Sequence, residues 1–394
     1  MPDVLAGRDL QLSGSTAADV ADAEVAIRDL NASVSTLADT EALARLLLRA
    51  EAVASSHIEG LAIGGRRLLR AEAASHLGEP RIDVTAAEVL GNIAAMDFAV
   101  QHLAGDVTVE GVLEMHRLLL ADTDRGAQGG RVREEQNWIG GSSYNPCSAG
   151  FVPPPEEYVK DLLADLCAFM NDDHLPAIVQ AAVAHAQFET IHPFGDGNGR
   201  TGRALIHVVL RRRGLAPAVV PPISLILATR AQDYLAGLSD YRYLGAPDHV
   251  KAVAGVNRWI GTFAAAAHRA ALDAGTFEAR IDALRADWRR RLGRVRAGSA
   301  VDGLLDRLPG TPILTVNTAA ALVGRSLPAT NEAIDRLVRA RVLTQITVGR
   351  RNRAWEAAEV MDAFTDFERA LASPSGDARA APPERVVPAR RLPD

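Results

Sequence analysis

The stretch TIHPFGDGNGRTGR, residues 190–203, combines one histidine, one acid, four glycines and two arginines just before an apolar run. It lies between two segments with helical periodicity, VQAAVAHAQFET and GRTGRALIHVVLRRRG. Glycines allow positive φ angles, so successive N–H groups can point into one concavity. A bend of this kind at a helix N-terminus attracts phosphate through its free donors and partial positive charge. A glycine-rich turn that binds nothing is the alternative.

The charged side chains of this stretch favour the phosphate interpretation. Arg200 and Arg203 lie on adjacent helical turns, where both can bind the oxygens of one ligand. Asp196 is a poor neighbour for a bare phosphate but suits a Mg2+ ion held by a carboxylate and phosphate oxygens. His192, at the entrance, can accept a proton from an incoming hydroxyl. The residue types therefore indicate Mg-nucleotide binding beside a general base, without a Walker sequence.

The elements that must position these residues are mostly helices, as Ala-rich and Leu-rich segments predict for residues 39–59, 83–103 and 156–172. Asp39 or Thr40, and Asp83 or Thr85, are plausible N-caps for the first two. The best extended pattern is NWIGGSSYNPCSAGFVPPP, residues 137–155. Gly140 and Gly141 permit a tight bend there, and three prolines end the element. We expect a short hairpin, or flap, on a helical body.

The character of the chain changes after residue 300. Two helical segments split by the turn VGRS precede the run TQITVGRRNRAWEA, which has a Gly-Arg tip. This order predicts a winged helix-turn-helix, with a recognition helix over residues 326–340. Residues 280–356 hold fifteen Arg, no Lys and seven acids, a net charge of +8, whereas the whole chain carries −6 and the remainder therefore −14. A basic unit on an acidic body suggests DNA contact, with Arg350, Arg351 and Arg353 on the wing.

The two cysteines form no CxxC, which argues against a zinc site or a disulfide framework. No signal peptide and no apolar segment of about 20 residues is evident, so we expect no membrane partner and a cytoplasmic location.

HPFGDGNGRTGR resembles the Fic family signature, HxFx(D/E)GNGRxxR, at every fixed position. QNWIGG and FVPPP are similar to the flap of that family, and the resemblance covers roughly residues 42–268. It implies a mainly α fold, a Fic-type helical bundle with a short β-hairpin flap. It also implies transfer of AMP from ATP to a Ser, Thr or Tyr hydroxyl of a target protein, or of the enzyme itself, with Mg2+ as the metal.

Carried over by position, the resemblance makes His192 the base that deprotonates the hydroxyl and Asp196 the Mg2+ ligand. Gly197, Asn198 and Gly199 form the anion hole at the α-phosphate. Gly199 also argues against the kinase-like Doc branch of the family, in which a lysine commonly occupies this position.

Further roles follow for residues around the signature. Arg200 and Arg203 hold the outer phosphates, and Phe194 anchors the loop in the core. Tyr234 lines the adenine pocket, with an ordinary half-buried tyrosine as the alternative. The flap, with Gly140, Gly141, Ser142 and Ser143, docks the target by main-chain pairing.

The segment SSHIEG, residues 55–60, resembles the inhibitory motif of the family, [S/T]xxxE[G/N]. Ser55 and Glu59 are four residues apart and share a helix face. A solvated helix edge is the alternative. The resemblance implies that Glu59 pairs with Arg203 and withholds this cation from the γ-phosphate.

Together these patterns predict the following division of the chain: an N-terminal helical region over 1–110 with an inhibitory helix at about 39–60, a catalytic core over 111–272, a linker helix over 273–300, a winged helix-turn-helix over 301–368 and a disordered tail over 369–394. The leading function is an autoinhibited protein adenylyltransferase. The alternatives are a DNA-binding regulator with a Fic sensor domain and an enzyme that transfers another nucleotide or phospho group. The C-terminal unit could instead pack on the protein or mediate a homodimer.

Overall fold

The computed structural model describes residues 1–34, 40–76, 83–141, 145–348 and 352–371, and in these ranges the chain is mainly α, as predicted. Of the tail predicted to be disordered over 369–394, residues 369–371 are instead helical, because they continue the last helix of the chain, and residues 372–394 lie outside the described ranges. Asp39 and the wing residues Arg350 and Arg351 also lie outside them. The first half contains helices α1 (Gly14–Val34), α2 (Thr40–Ile58), α3 (Gly65–His76), α4 (Val84–His102), α5 (Val109–Leu120) and α6 (Val159–Met170). Asp83 caps α4 by accepting from the N–H of Ala86, which confirms it as an N-cap.

A buried helical hairpin forms the centre of the molecule. It consists of α7 (Ala177–Ile191) and α8 (Asn198–Arg212), joined by the glycine-rich bend. Every residue of α7 is buried, as are the first thirteen residues of α8. A helix that is buried all round is held by its packing partners. The bend between these two helices is therefore fixed from both sides.

The helices after the hairpin are α9 (Ile223–Thr229), α10 (Ala231–Tyr241) and α11 (Val250–Leu292). The linker helix expected over residues 273–300 is the second half of α11, and it ends earlier, at Leu292. The segment contains no proline, and buried apolar residues recur as far as Trp288, so nothing interrupts the helix before Gly293. Gly293, at φ 66°, caps its end. In the core, the Trp259 indole N–H of α11 donates to the carbonyl of Ala182 at 2.7 Å.

The C-terminal unit contains α12 (Ala300–Arg307), β1 (Ile313–Leu314), α13 (Val316–Val323), α14 (Leu327–Arg339), β2 (Thr344–Val348), β3 (Asn352–Glu356) and α15 (Ala358–Leu371). The strands form an antiparallel sheet in the order β1-β3-β2. Two helices followed by a hairpin are the elements on which the winged-helix prediction rests, and the winged-helix assignment itself stays a prediction.

This unit packs against the N-terminal helices α2 and α3. Arg49 of α2 donates to the carbonyl of Gly310 at 2.7 Å, and Arg66 of α3 pairs with Glu356 of β3 at 2.8 Å. A Cβ atom at Gly310 would lie 2.6 Å from the Cα of Ala42, so the backbones approach closely. The C-terminal unit thus touches the helix that carries Ser55.

Candidate active site

The bend between α7 and α8 is closed by local hydrogen bonds. His192 caps α7 in the left-handed region, at φ 49° and ψ 61°, and Gly197 precedes α8 at φ 76°. Asn198 accepts from the N–H of Phe194 at 2.9 Å and donates to its carbonyl at 2.8 Å. Non-glycine residues rarely adopt a left-handed conformation, so the surroundings must hold His192 in place.

Phe194 anchors the bend in the core, as predicted, and its partner is a histidine that sequence reasoning missed. The rings of Phe194 and His116 stack with centroids 3.7 Å apart. His116 Nδ1 accepts from the N–H of Gly130, so the proton lies on Nε2, which donates to the carbonyl of Asp196 at 3.0 Å. Burial lowers the pKa of His116 to about 4, which keeps the ring neutral in this role.

The main chain at His192 and Phe194 is held by the side chains of Arg133 and of Asn137, the first residue of the flap segment. Arg133 Nε donates to the His192 carbonyl at 3.0 Å, and Asn137 donates to the carbonyl of Phe194 at 3.0 Å. Burial lowers the pKa of His192 to about 4, with a further contribution from Arg242. The imidazole is therefore neutral at physiological pH, the state that a general base needs. The sequence shows Asn137 only as part of QNWIGG.

Asp196 and Arg200 face the same side of the bend. Asp196 Oδ2 lies 3.1 Å from Arg125 and 3.6 Å from Arg200. Arg200 is buried, and its Nε and Nη1 atoms form no hydrogen bond within the described residues; Glu88 lies 3.6 Å from Nη1. A buried guanidinium with unused donors is suited to an anionic ligand. Arg125 and Glu88 were not identified from the sequence.

The donor chemistry of the bend is compatible with Mg2+ when phosphate is present. In the described ranges no three His, Cys, Asp or Glu side chains are grouped to hold a metal. Asp196 offers a partly exposed carboxylate in the bend just before α8. Because Mg2+ is commonly held by one or two carboxylates together with phosphate oxygens and water, Asp196 fits a metal that arrives with a nucleotide.

Glu59 reaches the N-terminus of α8, as the resemblance implies. Its Oε1 accepts from Arg203 Nη2 at 2.7 Å, and Arg203 also donates to Ser55, at 2.9 Å to Oγ and 2.7 Å to the carbonyl. Burial acts to lower the pKa of Arg203, but Glu59, Tyr234 and Glu189 together more than offset this effect, so the pKa is raised. A Cβ atom at Gly199 would collide with the Glu59 carboxylate. An anionic group thus already lies against the helix N-terminus.

Tyr234 is buried, and its hydroxyl lies 2.9 Å from His185 Nε2. Burial raises the pKa of Tyr234 and lowers that of His185 to about 3. The ring packs near His185 and Trp259 in the core. Its role at an adenine pocket stays a prediction.

The flap is less regular than a hairpin. Ile139 and Phe151 form one isolated antiparallel bridge, while Gly140 and Gly141 adopt φ angles of 75° and 74°. A Cβ at Gly141 would collide with the carbonyl of Ser148, so this close turn requires glycine. Ser142 and Ser143 lie outside the described residues.

A cleft of about 460 Å³ lies beside the flap. Its lining includes Phe151, Pro153, Thr190 and Arg242. The guanidinium of Arg242 lies 4.0 Å from the centroid of the Phe151 ring, and it also donates to the Glu189 carbonyl at 3.0 Å. The cleft therefore joins the flap to the turn of α7 that precedes His192.

Part of the arginine excess of residues 280–356 is compensated within the chain. Five arginines of α11 form ion pairs with carboxylates: Arg280, Arg285, Arg289, Arg290 and Arg291. The exposed face of α14 carries the acids Glu332 and Asp335. Acids on this face oppose phosphate contact. Neither DNA contact nor dimerisation gains support from these features.

Family comparisons agree with this geometry. Residues 106–210 match the model of the Fic/DOC family, and residues 17–101 match that of the Fic/DOC family N-terminal region. The fold and the bend define a Fic-type domain. Over these two regions the chain therefore matches the Fic/DOC family, and α2 with Glu59 lies in the N-terminal region.

Two curated relatives are named protein adenylyltransferases. Fic-1 of Caenorhabditis briggsae is 33% identical over 185 residues, which cover 44% of this chain and 34% of that protein. Fic of Drosophila melanogaster is 34% identical over 139 residues, which cover 34% of this chain and 26% of that protein. The matched region is thus about a third or less of the length of these relatives.

Among solved structures, a Fic family protein from Desulfovibrio desulfuricans has a similar fold. Its TM-score is 0.53 at 19% identity, and the alignment covers 88% of this chain and 97% of that chain. Within the described ranges, no helix is both long and apolar enough to cross a membrane.

Proposed function

We propose that this protein transfers AMP from ATP to a hydroxyl group of a target protein, and that Glu59 holds it in an inactive state. The observation that carries the proposal is the placement of the Glu59 carboxylate, which contacts Arg203 and lies over Gly199 at the start of α8. This is the position where free N–H donors attract a phosphate group. The adenylyltransferase names of the relatives support the same reaction class.

The reaction is an in-line displacement. The oxygen of the target hydroxyl forms a bond to the α-phosphorus of ATP, and its proton passes to Nε2 of His192. The bond between the α-phosphorus and the bridging oxygen to the β-phosphate breaks, and pyrophosphate leaves with the electron pair. The low pKa of His192 keeps the imidazole neutral and able to accept this proton.

The remaining residues of the bend bind and orient the nucleotide. Donors at Gly197, Asn198 and Gly199 stabilise charge on the α-phosphate, and the unpartnered donors of Arg200 suit an outer phosphate. Arg203 takes the γ-phosphate once Glu59 has withdrawn. Asp196 would hold Mg2+, which supplies charge neutralisation on the phosphates when bound. The cleft beside the flap accommodates the target segment.

Inhibition follows from competition for one cation. While Glu59 holds Arg203, the γ-phosphate lacks its partner and repels the carboxylate. ATP then binds weakly, or with its α-phosphate turned away from His192. A small displacement of reacting atoms reduces the rate by about 100-fold.

The experiment compares two substitutions in α2 and just beyond its end. Glu59→Gln removes the carboxylate at Arg203, whereas Glu41→Gln removes an exposed one that pairs with Arg45. With α-labelled ATP, we expect strong self-modification in Glu59→Gln and in Glu59→Gly, and wild-type levels in Glu41→Gln. His192→Ala in the Glu59→Gly background abolishes incorporation.

Mass spectrometry of the products identifies the added group as AMP. Labelled UTP, GTP and CDP-choline are tested in parallel, and a preference for one of them would change the donor. Equal incorporation in wild type and Glu59→Gly contradicts the inhibitory role. A cell lysate treated with Glu59→Gly provides the route to the target protein.

A further inference from the structure

A buried carboxylate that the reaction above does not use lies one helical turn before His192. Oε2 of Glu189 is 3.8 Å from Nδ1 of His192, and the two side chains are only 8% and 18% exposed. Within the described residues, His192 Nδ1 and Glu189 Oε1 have no hydrogen-bond partner. Buried polar atoms without partners are rare in folded proteins. This adjacent pair therefore requires a physical explanation.

The role of His192 as a base explains why a carboxylate lies beside its Nδ1 atom. An imidazole that accepts a proton at Nε2 must carry its own proton on Nδ1 beforehand. The bonds from Arg133 and Asn137 fix the main chain around His192 but leave the tautomer of the ring undefined. A carboxylate at Nδ1 selects this tautomer and stabilises the imidazolium that forms, as in other base–carboxylate pairs.

We propose that Glu189 is a positioning residue for His192. Once Glu59 has withdrawn from Arg203, the Glu189 carboxylate accepts the Nδ1–H of the imidazole, which leaves Nε2 free for the target hydroxyl. This inference rests on the proposed function and deepens it. The proton of the hydroxyl goes to Nε2, and Glu189 keeps its charge throughout. A closure of about 1 Å brings the two groups into hydrogen-bond distance.

The packing leaves room for this carboxylate. A Cβ atom at Gly202 would lie 2.9 Å from Glu189 Oε1 and 3.2 Å from His185 Nδ1. Glycine at position 202 therefore allows the carboxylate to lie against α8. Glu189 lies outside the HxFx(D/E)GNGRxxR signature, which is why it was not identified from the sequence.

The pKa of Glu189 depends on the inhibitory residue Glu59 and on the other charges around it. Burial raises the pKa of Glu189 to about 7; Arg203 and Arg242 act to lower it, and Glu59 acts to raise it. His185 and Tyr234 also face this region, and burial favours their neutral forms. When Glu59 withdraws from Arg203, the pKa of Glu189 falls, which favours the ionised carboxylate.

One competing arrangement must be distinguished. The main-chain carbonyl of Glu189, which already accepts from Arg242 at 3.0 Å, could hold Nδ1–H in place of the side chain. A substitution of the carboxylate leaves this carbonyl intact. The two arrangements therefore predict different results for Glu189→Gln.

The first readout is nitrogen NMR of the full chain with labelled histidine, in the Glu59→Gly background and with His192→Ala for assignment. At pH 8 we expect the His192 proton on Nδ1. Glu189→Gln mixes the tautomers, because the amide can also donate, whereas the control Glu88→Gln, which removes a carboxylate near Arg200, leaves the tautomer unchanged. An unchanged tautomer in Glu189→Gln overturns the proposal in favour of the main-chain carbonyl.

The second readout is the dependence of kcat on pH. The Glu59→Gly parent gains activity as pH rises through about 7 or slightly below, because Glu189 ionises there. Glu189→Gln loses this step and lowers kcat on the order of 100-fold with an unchanged KM for ATP. An unaltered pH profile overturns the proposal.

Two further results keep the inference separate from the proposed function. If the Glu59→Gly parent transfers no AMP, the proposed function fails, while NMR still reports the tautomer. If Glu189→Gln does not fold, Glu189→Asp keeps the charge on a side chain one carbon shorter. We expect Glu189→Asp to retain the pH step with an intermediate kcat, and loss of that step overturns the proposal.

Discussion

Nε2 of His207 lies 2.8 Å from Oε1 of Glu51, and both side chains are almost completely buried between α8 and α2. Ser55, four residues after Glu51 on α2, accepts a hydrogen bond from Arg203, which lies four residues before His207 on α8. Four residues later again, Glu59 reaches Arg203 and Gly199. Because residues four apart share a helix face, the two helices run antiparallel with a polar contact at every turn. Glu59 is thus the last of three linked contacts.

Ser55→Ala tests the middle contact. The substitution removes the oxygen that accepts from Arg203 Nε at 2.9 Å and leaves this buried donor unpaired. The Glu59 pair remains, so we expect AMP incorporation between that of wild type and that of Glu59→Gly. Incorporation of label from ATP by the three proteins, at equal concentration, measures this order. Incorporation as low as in wild type would mean that Glu59 alone restrains Arg203.

Glu51→Gln tests the first contact through stability. Glu51 accepts from His207, from the Ser224 N–H at 2.8 Å and from the Ser224 hydroxyl at 2.5 Å, all without solvent. Loss of the charged acceptor costs about 2 kcal/mol of unfolding free energy. Urea unfolding measures this value. Glu41→Gln removes an exposed carboxylate and should cost less than about 0.5 kcal/mol. Equal losses in the two variants would contradict the anchoring role of Glu51.

The sequence predicted the parts of the site that lie close together along the chain. The glycine-rich bend has local requirements, namely positive φ at Gly197 and a helix start at Asn198, and the structure meets both. The contact between Glu59 and Arg203 spans 144 residues but followed from a family motif. The sequence also located α4, α7 and α8, whose segments are rich in alanine and other good helix formers.

Residues that act through tertiary contacts could not be found in this way. His116 appears in the sequence as one polar residue in an amphipathic helix, and only the fold stacks it on Phe194. Arg133 and Glu189 are likewise ordinary charged residues until packing buries them. The length of α11 was missed for a different reason. Its second half is rich in charged residues, which hides the continuity of a helix whose buried face is apolar apart from Glu278.

Stability should depend on pH through buried histidines. Burial lowers the pKa of His116 and His192 to about 4 and that of His185 to about 3, from the ordinary value of 6.5. Between pH 6.5 and these values the unfolded chain binds protons that the folded chain does not, so stability is lost as pH falls. Glu189 acts in the opposite direction between pH 4.5 and about 7, because its pKa is raised. Its contribution to stability therefore offsets the loss caused by about one of the three histidines.

His185→Gln should therefore lose less stability on acidification than wild type. The difference between pH 6.5 and pH 5 is about 2 kcal/mol, from about 1.4 kcal/mol per pH unit. Urea unfolding at the two pH values measures it. His174→Gln is the control, because His174 is more exposed and its pKa is raised by the hydrogen bond that its ring donates to Asp172. If His185→Gln loses as much stability as wild type, His185 is not held neutral by burial.

Asp196→Asn, in the Glu59→Gly background, tests the metal ligand. Calorimetric titration with ATP is compared in the presence of EDTA and of Mg2+. We expect Mg2+ to tighten ATP binding to the parent and Asp196→Asn to lose this gain, since even residues that only orient a ligand change metal affinity by about 10- to 100-fold. Binding without metal should not weaken, because one negative charge near Arg200 is removed. Glu88→Gln, which also alters a carboxylate beside Arg200, should keep the full effect of Mg2+. If Asp196→Asn keeps it as well, Asp196 serves to hold Arg125 and Arg200 and binds no metal.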